Sequence, residues 1–565
     1  MLNRPLQRKS ADPKARPIVA YDLETTPIAA GTPRPLYFTA FDGHDLISQA
    51  VDNFDDLHEL LHHSVLPKWR KYRFVAWNGN RFDAYLVALA LIHDPDYMIK
   101  PYLARNKTLR GMMIKDQHDH SWEFLDGIAM TGIEKKLGEF VATYAPAFPK
   151  LDLDLSNQTF NPRDPEHRAY AERDSIALWH AMTGVNDQAM RLTGMPLMTT
   201  IGALGIRFFQ SMMPMDKSCW KAPDDLDQIF FTDLMRGGYC HCVDKYKGPI
   251  WKYDINQAYA AAMRDCRLPA GRVSRTRRYH EGRPGFYQVD ADVPNRIPFY
   301  SKRAGQTQWS THFSAWLTGD EVAQLYNEDA SIRINEGWIY DDSFSMIEMV
   351  AQLERLRQAD PAGPSGPQGL LCKSLGNNAY GKTVERLEGI ELAMSCQCPA
   401  GYMPYGIGDE TPELAYIWWR RGRSILREWH KPQIGIHITA YNRMVLRRAI
   451  LLDPDAWRYS DTDCVMFSRP VDLDTHPSRY GAWKIESAGE PHIIVDKKVY
   501  ASSTGVHAKG LHRKSISLDE MRQWHDGEYV PVQWQEQRVN FMKLIAGQAM
   551  FETKKRRGTL KVTAP

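Results

Sequence analysis

The sequence predicts an α/β protein of several domains. A chain of 565 residues is too long for one hydrophobic core, so we expect three or more domains. Short β-rich runs at residues 18–21, 72–77 and 251–255 alternate with helical periodicity at residues 84–91 and 345–359. A hydrophobic content of 43% and a charged content of 25% are ordinary for a globular protein.

Composition argues against several classes of protein. The formal net charge of +3 is close to neutral, so any surface for nucleic acid has to be local. No run of about eighteen apolar residues is present, and the basic N-terminus lacks the apolar core of a secretory signal. Eight cysteines in a chain of this size do not make a disulfide framework. We therefore expect a cytoplasmic protein that does not enter a membrane.

Basic clusters and cysteine pairs are the local features that could bind ligands. Each basic cluster alone is more often a solvated face than a binding site. The cysteine pairs could in principle hold zinc, although structural zinc sites usually use a wider spacing. The clusters are Arg272, Arg275, Arg277 and Arg278; Arg420, Arg421 and Arg423; and Lys554, Lys555, Arg556 and Arg557; the pairs are Cys240 with Cys242 and Cys396 with Cys398.

The most informative motif is Tyr459-Ser460-Asp461-Thr462-Asp463. Apolar residues flank it on both sides, which predicts a tight β-hairpin with acidic residues at its tip. Two carboxylates held close together repel each other unless a cation lies between them. Oxygen ligands of this kind favour magnesium or manganese, so the motif predicts a divalent metal site. An acidic turn that merely closes a hairpin is the alternative.

A third carboxylate is predicted to reach the same site. Residues 251–255 form a β-rich segment that delivers Asp254, and a helical pattern begins soon afterwards. If Asp254 meets Asp461 and Asp463, the carboxylates can hold two metal ions, as enzymes of phosphoryl transfer do.

A pair of helices is predicted between these two segments. The helical pattern of residues 345–359 ends at the Pro- and Gly-rich residues 360–367, and a second helix follows. Lys373, Asn377 and Tyr380 on the second helix are spaced by four and three residues and share one face. An ammonium group, an amide and an aromatic ring on one face would suit a triphosphate and a stacked base.

Further acidic residues lie near the N-terminus. Asp22 and Glu24, at the end of the first β-rich run, are two residues apart and point to the same face of a strand. Asp83 follows the second run at the start of a helix, where it could instead be a cap. Asp174 lies four residues after Tyr170 on a helical pattern, so the two share a face. An ordinary surface pair is the alternative for these two.

The four N-terminal carboxylates could together hold two divalent ions and polarise a water molecule for attack on a phosphate. Tyr170 could orient that water, and Lys150 could offset the charge of the phosphate. This arrangement is a nuclease hypothesis.

Taken in order, these segments resemble the motifs of family B DNA polymerases, most of all the short protein-primed class of bacteriophages and linear plasmids. Residues 254–259, 373–381 and 459–463 match polymerase motifs A, B and C. Three N-terminal segments match the proofreading exonuclease motifs: Asp22 with Glu24, residues 78–83, and Tyr170 with Asp174. Near the C-terminus, Lys498-Val499-Tyr500 matches the Lys-x-Tyr motif, and residues 439–443 resemble the primer-contacting Thr-x2-Ala/Gly-Arg motif with a one-residue difference in spacing.

The resemblance implies a ribonuclease H-like 3′–5′ exonuclease domain followed by a right-hand polymerase of palm, fingers and thumb with two palm insertions. In the protein-primed class such insertions hold the priming protein and encircle the template, which gives processivity and strand displacement. The implied divisions are the exonuclease domain, 1–195; the first part of the palm, 196–264; an insertion of the terminal-protein-region type, 265–343; the fingers, 344–383; a second insertion of the strand-displacement type, 384–428; the second part of the palm, 429–495; and the thumb, 496–565.

The resemblance also implies roles for single residues. In the polymerase site, Asp254 and Asp463 would be the principal ligands of two magnesium or manganese ions, with Asp461 beside them and the Ile255 carbonyl assisting. In the exonuclease site, Asp22, Glu24, Asp83 and Asp174 would hold two more ions. The residues that would contact the incoming deoxynucleoside triphosphate are Tyr259, Lys373, Asn377, Tyr380 and either Arg355 or Arg357. The residues that would contact the DNA are Asn78, Phe82, Thr439, Arg443, Lys498 and Tyr500.

The chain departs from the family where a Tyr-x-Gly-Gly motif usually links exonuclease and palm. Here the sequence is Met235-Arg236-Gly237-Gly238, followed by Tyr239, which could substitute for the missing tyrosine. The implied partners are template and primer DNA, deoxynucleoside triphosphates and a terminal priming protein, and the protein is expected to be a monomer, in the host cytoplasm if viral.

Three alternatives stay open at this point. The first is a family B polymerase that starts from a nucleic-acid primer or from none. The second is a reverse transcriptase, although the paired aspartates of those enzymes are usually adjacent. The third is a DNA-binding remnant without enzymatic activity.

Overall fold

A computed structural model describes most of the chain. The described residues are 4–12, 14–27, 31–103, 109–153, 159–385, 390–405, 416–421, 427–509, 516–528, 530–538 and 552–560. None of the helices in these ranges is both long enough and apolar enough to cross a lipid bilayer.

The first part of the chain is built around a mixed sheet. Its three central strands, β2, β5 and β8, are parallel, so their carboxyl ends meet at one edge. Helix α6 packs against β2 and β3, begins at the cap Asp164 and ends where Gly194 adopts φ 69°. The elements are β1 (Leu6–Gln7), β2 (Ile18–Thr25), β3 (Pro35–Phe41), β4 (Leu46–Ala50), α1 (Phe54–Leu60), α2 (Leu66–Lys68), β5 (Arg73–Ala76), α3 (Asp83–Leu91), β6 (Tyr97–Leu103), β7 (Leu109–Asp116), β8 (Ser121–Asp126), α4 (Gly127–Thr131), α5 (Leu137–Tyr144) and α6 (Pro165–Thr193).

The next part supplies the strand with Asp254 and a separate β-rich unit. That unit is a six-stranded sheet in the order β1-β9-β12-β17-β13-β16, with α10 against it. Its main strands span residues 268–344, the part of the chain where an insertion is expected at 265–343. The elements are α7 (Ile201–Met212), β9 (Ser218–Cys219), α8 (Asp224–Ile229), β10 (Cys240–Cys242), β11 (Tyr246–Ile255), α9 (Ala258–Asp265), β12 (Leu268–Thr276), β13 (Gly285–Asp292), β14 (Phe299–Arg303), β15 (Gln306–Ser310), β16 (His312–Thr318), α10 (Gly319–Asn327) and β17 (Ser331–Phe344).

The predicted helical pair is present, and the strands after it join the first sheet. The helices are α11 (Ile347–Gln358) and α12 (Pro367–Asn378), and Tyr380 lies just beyond α12 on a 3₁₀ turn, Tyr380–Thr383. The strands that follow are β18 (Ile390–Met394), β19 (Met403–Pro404) and β20 (Ile417–Arg421). They join the first sheet through the pair Met394 and Ile99, which gives ten strands in the order β19-β20-β18-β6-β7-β8-β5-β2-β3-β4. These strands, which lie among the residues expected to form the second insertion, therefore extend the first sheet.

The last part completes the sheet that carries the acidic hairpin. The strand order is β10-β21-β22-β11-β23-β24-β25. Strands β24 and β25, which lie beyond the palm boundary expected at 495, belong to this sheet. The elements are α13 (Pro432–Leu452), β21 (Trp457–Asp461), β22 (Cys464–Phe467), β23 (Trp483–Asp496), β24 (Val499–Ser502), β25 (Gly505–Ala508), α14 (Leu518–His525), β26 (Val530–Arg538) and β27 (Glu552–Leu560).

The largest hydrophobic core joins the two halves of the molecule. It contains Val185 of α6, Leu204 of α7, Met263 of α9, Leu353 of α11 and Leu375 of α12, all fully buried. Burial of this many large apolar side chains packs the first sheet and the helical pair against α9, the helix that follows β11.

Candidate active sites

The acidic hairpin forms as the sequence predicts. Strands β21 and β22 are antiparallel, and Asp461 pairs with Cys464 across the ladder. Thr462 turns the chain at the tip with φ 65°, a conformation that is uncommon for a β-branched residue. Its backbone N–H donates to the Tyr239 carbonyl at 3.1 Å, which holds the strained tip in place.

Asp254 lies beside this hairpin. Strand β11 is antiparallel to β22 and places Asp254 opposite Cys464, while the backbone N–H of Ile255 donates to the Asp463 carbonyl at 2.8 Å. The carboxylates therefore open into one cleft of about 310 Å³. The cleft is lined by Lys252, Asp254, Tyr459, Asp461, Thr462, Asp463, Cys464, Lys498 and Tyr500.

The charges in this cleft are unevenly balanced. Burial, together with the nearby Asp463, raises the pKa of Asp254 to about 7. Burial also raises the pKa of Asp463, and Asp461 adds to the effect. Asp461 itself is held by Lys498, whose Nζ lies 2.5 Å from both carboxylate oxygens. Asp254 and Asp463 are thus the two carboxylates of the cleft that gain most from an added cation.

The residues expected to bind a nucleotide lie on the helices around this cleft. The rings of Tyr259 and Tyr380 are 4.6 Å apart and inclined by 31°, so the two aromatic residues form a unit. Lys373 is exposed on α12, Asn377 is half-buried one turn further on, and the positive charge of Lys373 acts on Asp463. Lys373 and Asn377 therefore share a face of α12 as predicted, whereas Tyr380 lies on the 3₁₀ turn beyond the helix.

The two arginines expected to add phosphate charge differ in their surroundings. Arg355 is exposed on α11. Arg357 is half-buried, donates from Nε to the Pro364 carbonyl at 3.2 Å and lies 5.9 Å from the ring of Tyr480. Arg357 therefore braces the turn between the two helices.

Two charged residues, one lining the cleft and one next to it, are absent from the sequence prediction. Lys252, two residues before Asp254, lies 2.7 Å from Glu486 of β23. Glu486 also raises the pKa of Asp254, after burial and Asp463. Alternation along β11 could have indicated Lys252, because residues two apart on a strand face the same side. Nothing local marks Glu486, which arrives through strand pairing.

The predicted primer contact at Arg443 is wrong. Its side chain is completely buried on α13 and lies 2.9 Å from Glu321 of α10, which is also completely buried. Arg236 completes the cluster at 2.6 Å from the second oxygen of Glu321. Arg443 also donates to the carbonyls of Arg236 and Gly237 at 3.4 and 3.3 Å. It therefore secures the loop before Tyr239 and cannot reach a primer strand.

Tyr239 does not take the place of the missing motif tyrosine. Its ring is fully buried, and its hydroxyl donates to the Pro298 carbonyl at 3.2 Å. Asn442, which the prediction did not single out, supports the tip of the acidic hairpin, because its side-chain amide donates to the Thr462 carbonyl at 2.8 Å. Thr439 is half-buried and donates to the Ile436 carbonyl of its own helix at 3.1 Å.

The second acidic site lies at the carboxyl edge of the parallel strands. Asp22 and Glu24 are on β2, and Asp83 opens α3 with its side chain accepting from the Leu23 N–H at 3.2 Å. Asp174 lies on α6, which packs on β2. The structure thus brings together all four carboxylates that the sequence predicts. Asp83 does not cap α3, because the residue at the N-cap position is Phe82.

These four carboxylates are crowded and poorly solvated. Burial raises the pKa of Glu24 to about 8, with Asp22 and Asp174 adding to the shift. Burial and Asp22 raise the pKa of Asp174 to about 7. The pKa values of Asp22 and Asp83 are raised mainly by burial as well. Such shifts are typical of sites where a cation is needed to keep the carboxylates ionised.

Lys150 and Tyr170 stand beside the carboxylates as predicted. The ammonium group of Lys150 is ion-paired with Asp174 and donates to the Tyr170 hydroxyl at 2.8 Å. The other oxygen of Asp174, Oδ1, is buried without a hydrogen-bond partner in the described part of the chain. An unsatisfied carboxylate oxygen of this kind fits a metal ligand.

A loop between β5 and α3 borders the same site. It carries Asn78, at φ 64°, and Phe82, both half-buried. Asp126, at the carboxyl end of β8, accepts from the backbone N–H groups of Asn80 and Ile128 at 3.3 and 2.8 Å. This buried residue, absent from the prediction, holds the loop in place.

The basic clusters prove to be partly engaged within the protein. Arg275 lies 2.5 Å from Asp225 and stacks at 4.6 Å on Trp338, whereas Arg272, Arg277 and Arg278 are exposed. Arg420 is paired with Glu391 at 2.5 Å. Arg423 and the side chains of Arg421, Lys554, Lys555, Arg556 and Arg557 lie outside the described residues.

Comparison with known proteins agrees with this architecture. A family model described as DNA polymerase type B, organellar and viral, matches residues 164–398. The DNA-directed DNA polymerase of Enterobacteria phage PRD1 is 22% identical over 543 residues, 91% of this chain and 88% of the phage protein. The phi29 DNA polymerase in its ternary complex with primer-template DNA and incoming nucleotides superposes with a TM-score of 0.71 at 14% identity, covering 97% of this chain and 100% of that one. The phi29 enzyme with single-stranded DNA gives a TM-score of 0.68 at 14% identity over the same shares.

The fold is that of the phi29 DNA polymerase structures: a ribonuclease H-like domain followed by a right-hand arrangement of palm, fingers and thumb with two palm insertions. Within that fold class, the predicted resemblance to family B DNA polymerases of the bacteriophage type is confirmed by the family model, the PRD1 relative and the phi29 fold.

Proposed function

We propose that this protein is a DNA-directed DNA polymerase that also removes nucleotides from a 3′ end. The observation that carries the proposal is the meeting of Asp254 with the Asp461–Asp463 hairpin in one cleft. Two strands far apart in sequence bring these carboxylates together, an arrangement that a bound cation would stabilise. The confirmed resemblance to phage-type family B polymerases supports the same activity.

In the polymerase cleft, Asp254 and Asp463 would hold two divalent ions, with the Ile255 carbonyl as a further oxygen ligand. The donors are all oxygen, which suits magnesium or manganese. Such ions, when bound, promote attack by the primer hydroxyl and stabilise the leaving oxygen. Lys498 neutralises Asp461, so the cleft presents a net charge suited to two ions and a triphosphate.

Nucleotide selection would fall to the residues of α9 and α12. Lys373, exposed near Asp463, would bind the triphosphate with Asn377 and Arg355 beside it. The paired rings of Tyr259 and Tyr380 would form the floor under the base pair and the sugar. A ring in that position excludes a ribose 2′-hydroxyl by contact. Tyr500 and Lys498 would steady the primer end, since both line the cleft.

In the exonuclease cleft, Asp22, Glu24, Asp83 and Asp174 would hold two ions. The buried, unpartnered Oδ1 of Asp174 fits this donor set. Tyr170 would orient the attacking water, because Lys150 fixes its hydroxyl at 2.8 Å. Asn78 and Phe82 border the cleft and would grip the single strand.

Protein-primed initiation is part of the proposal. The insertion of residues 268–344 is the unit that would receive a terminal protein, and its α10 is anchored to the palm by the buried pairs Glu321–Arg443 and Glu328–Arg447. An insertion fixed in this way can hold a hydroxyl group of the terminal protein at the cleft, in the place that the 3′ end of a DNA primer would otherwise occupy. Transfer of a labelled deoxynucleotide to a candidate terminal protein would test this step, and extension of DNA primers alone would contradict it.

Two variants test the assignment of the two clefts. Asp254→Asn should abolish magnesium-dependent primer extension and leave degradation of single strands. The double variant Asp22→Ala, Glu24→Ala should do the reverse. Asp292→Asn, on the exposed end of β13, is the matched control and should keep both activities. Primer extension that survives in Asp254→Asn would overturn the polymerase site, and unchanged degradation in the double variant would overturn the exonuclease site.

A further inference from the structure

A group of two histidines and one aspartate lies at the end of α3 opposite to Asp83. His58 of α1 and His62 of the π-helical turn Leu61–Val65 are four residues apart and both face Asp94. His58 Nε2 is 2.7 Å and His62 Nδ1 is 3.1 Å from the same oxygen, Oδ2, of Asp94. In the described part of the chain this is the one group of three His, Cys, Asp or Glu side chains whose donor atoms all lie within 4.8 Å. Neither Cys-x-Cys pair forms one there.

We infer that His58, His62 and Asp94 bind a divalent transition-metal ion, with zinc as the best fit. Two imidazole nitrogens and a carboxylate oxygen are a common zinc ligand set, completed by water. With zinc–ligand distances of about 2.0–2.1 Å, neighbouring donor atoms in a tetrahedral site lie about 3.3 Å apart. The observed distances of 2.7 and 3.1 Å to Asp94 are shorter than this spacing, and all three donor atoms lie within 4.8 Å of one another. A rearrangement of the side chains would therefore admit the ion.

The surroundings of the three side chains are those of a built site. Asp94 is mostly buried, with 10% of its side chain exposed, and its Oδ1 accepts from the Asp96 N–H at 2.8 Å. The side chains of His58 and His62 are 25% and 29% exposed, which leaves room for a water ligand. Glu59 faces the other ring nitrogen of His58 at 3.6 Å.

The position of the site indicates a structural role. Helix α3 has nine residues, a length of about 14 Å, and begins at Asp83. An ion bound to α1 and to the residue just beyond α3 would fasten the far end of the helix that carries this carboxylate. The expected effect is therefore stabilisation of the first domain and not chemistry at the ion. The inference does not depend on the proposed polymerase function.

Zinc binding to the full-length, metal-stripped protein tests the inference. Isothermal titration with zinc is done in millimolar magnesium, so that the carboxylate clefts are occupied. We expect one equivalent of tight binding and a rise in the melting temperature. His62→Ala should lose that equivalent. His63→Ala is the matched control, since His63 is the next residue, is 66% exposed and contacts Glu59 instead.

A second variant and a spectroscopic measurement guard against a folding artefact. His58→Gln keeps a side chain that can donate to Asp94 but is a poor zinc ligand, and it should also lose the equivalent while circular dichroism stays unchanged. X-ray absorption of the wild-type zinc complex should show imidazole scattering and no sulfur. Absence of zinc binding to the wild type, equal binding by His62→Ala and His63→Ala, or sulfur in the zinc shell would each overturn the inference.

Discussion

The Nζ of Lys498 lies 2.5 Å from both carboxylate oxygens of Asp461, in a cleft that also contains Asp254 and Asp463. Lys498 has a backbone φ of 60°, and its N–H donates to the Tyr459 hydroxyl at 3.1 Å. The residue is therefore fixed at both its backbone and its ammonium group. One lysine removes one of three negative charges and leaves two carboxylates for cations.

Replacement of Lys498 should impair synthesis selectively. In Lys498→Ala, Asp461 becomes a third uncompensated carboxylate, and we expect kcat/KM for primer extension to fall by about tenfold or more. Degradation of single strands should be unchanged. Lys497→Ala, at the exposed neighbouring position, is the control and should extend primers normally. Equal losses in the two variants would show that the ion pair is not what matters.

The Gly237-Gly238 pair offers a test of the hairpin's support. A Cβ on Gly238 would lie 2.7 Å from the Cα of Thr462, whereas a Cβ on Gly237 would meet nothing within 4 Å. Gly238→Ala should therefore displace the tip that carries Asp461 and Asp463 and lower primer extension strongly. Gly237→Ala should have little effect. Steady-state extension and nuclease assays on both variants check this, and similar rates of extension would contradict it.

The buried cluster of Glu321 with Arg236 and Arg443 should be important for stability. Burial alone would raise the pKa of Glu321, but the guanidinium groups of Arg236 and Arg443 lower it below its ordinary value. Glu321→Gln would leave two buried arginines without a counter-charge, at a cost of about 3–5 kcal/mol in the free energy of unfolding. The control is Glu336→Gln, which breaks a half-exposed ion pair with Arg275 at 3.8 Å. This change should alter the free energy of unfolding by about 0.5 kcal/mol or less. Urea unfolding of both variants measures the difference, and equal effects would argue against the cluster.

A buried histidine predicts loss of stability in acid. Burial lowers the pKa of His437 from 6.5 to about 4, so the folded protein keeps it neutral while the unfolded chain protonates it first. Since the unfolded state then binds more protons, stability falls as the pH decreases through the window between these two values, by about 2 kcal/mol from about pH 7 to about pH 5. Urea unfolding of His437→Gln should show a pH dependence weaker by that amount. His312→Gln, at an exposed site, should keep the wild-type dependence.

The sequence alone determined the local elements and the identity of the acidic residues. The hairpin around Tyr459–Asp463, the strand ending at Ile255 and the helices on either side of residues 360–367 follow from patterns within a few residues, because period and turn chemistry are local properties. The chemistry of the four N-terminal carboxylates could be predicted for the same reason. Their spacing on strand and helix already restricts which faces they share.

Only the tertiary structure decided which partners those residues meet. Arg443 is a motif residue in sequence, yet Glu321, 122 positions away, draws it into the interior. The strand pair Met394 and Ile99 joins residues of the expected second insertion to a sheet formed far earlier in the chain. Lys498 pairs with Asp461 although two strands, β22 and β23, separate them in sequence. Long-range pairing and burial set these contacts, because the free energy of a charge depends on what surrounds it and not on its neighbours along the chain.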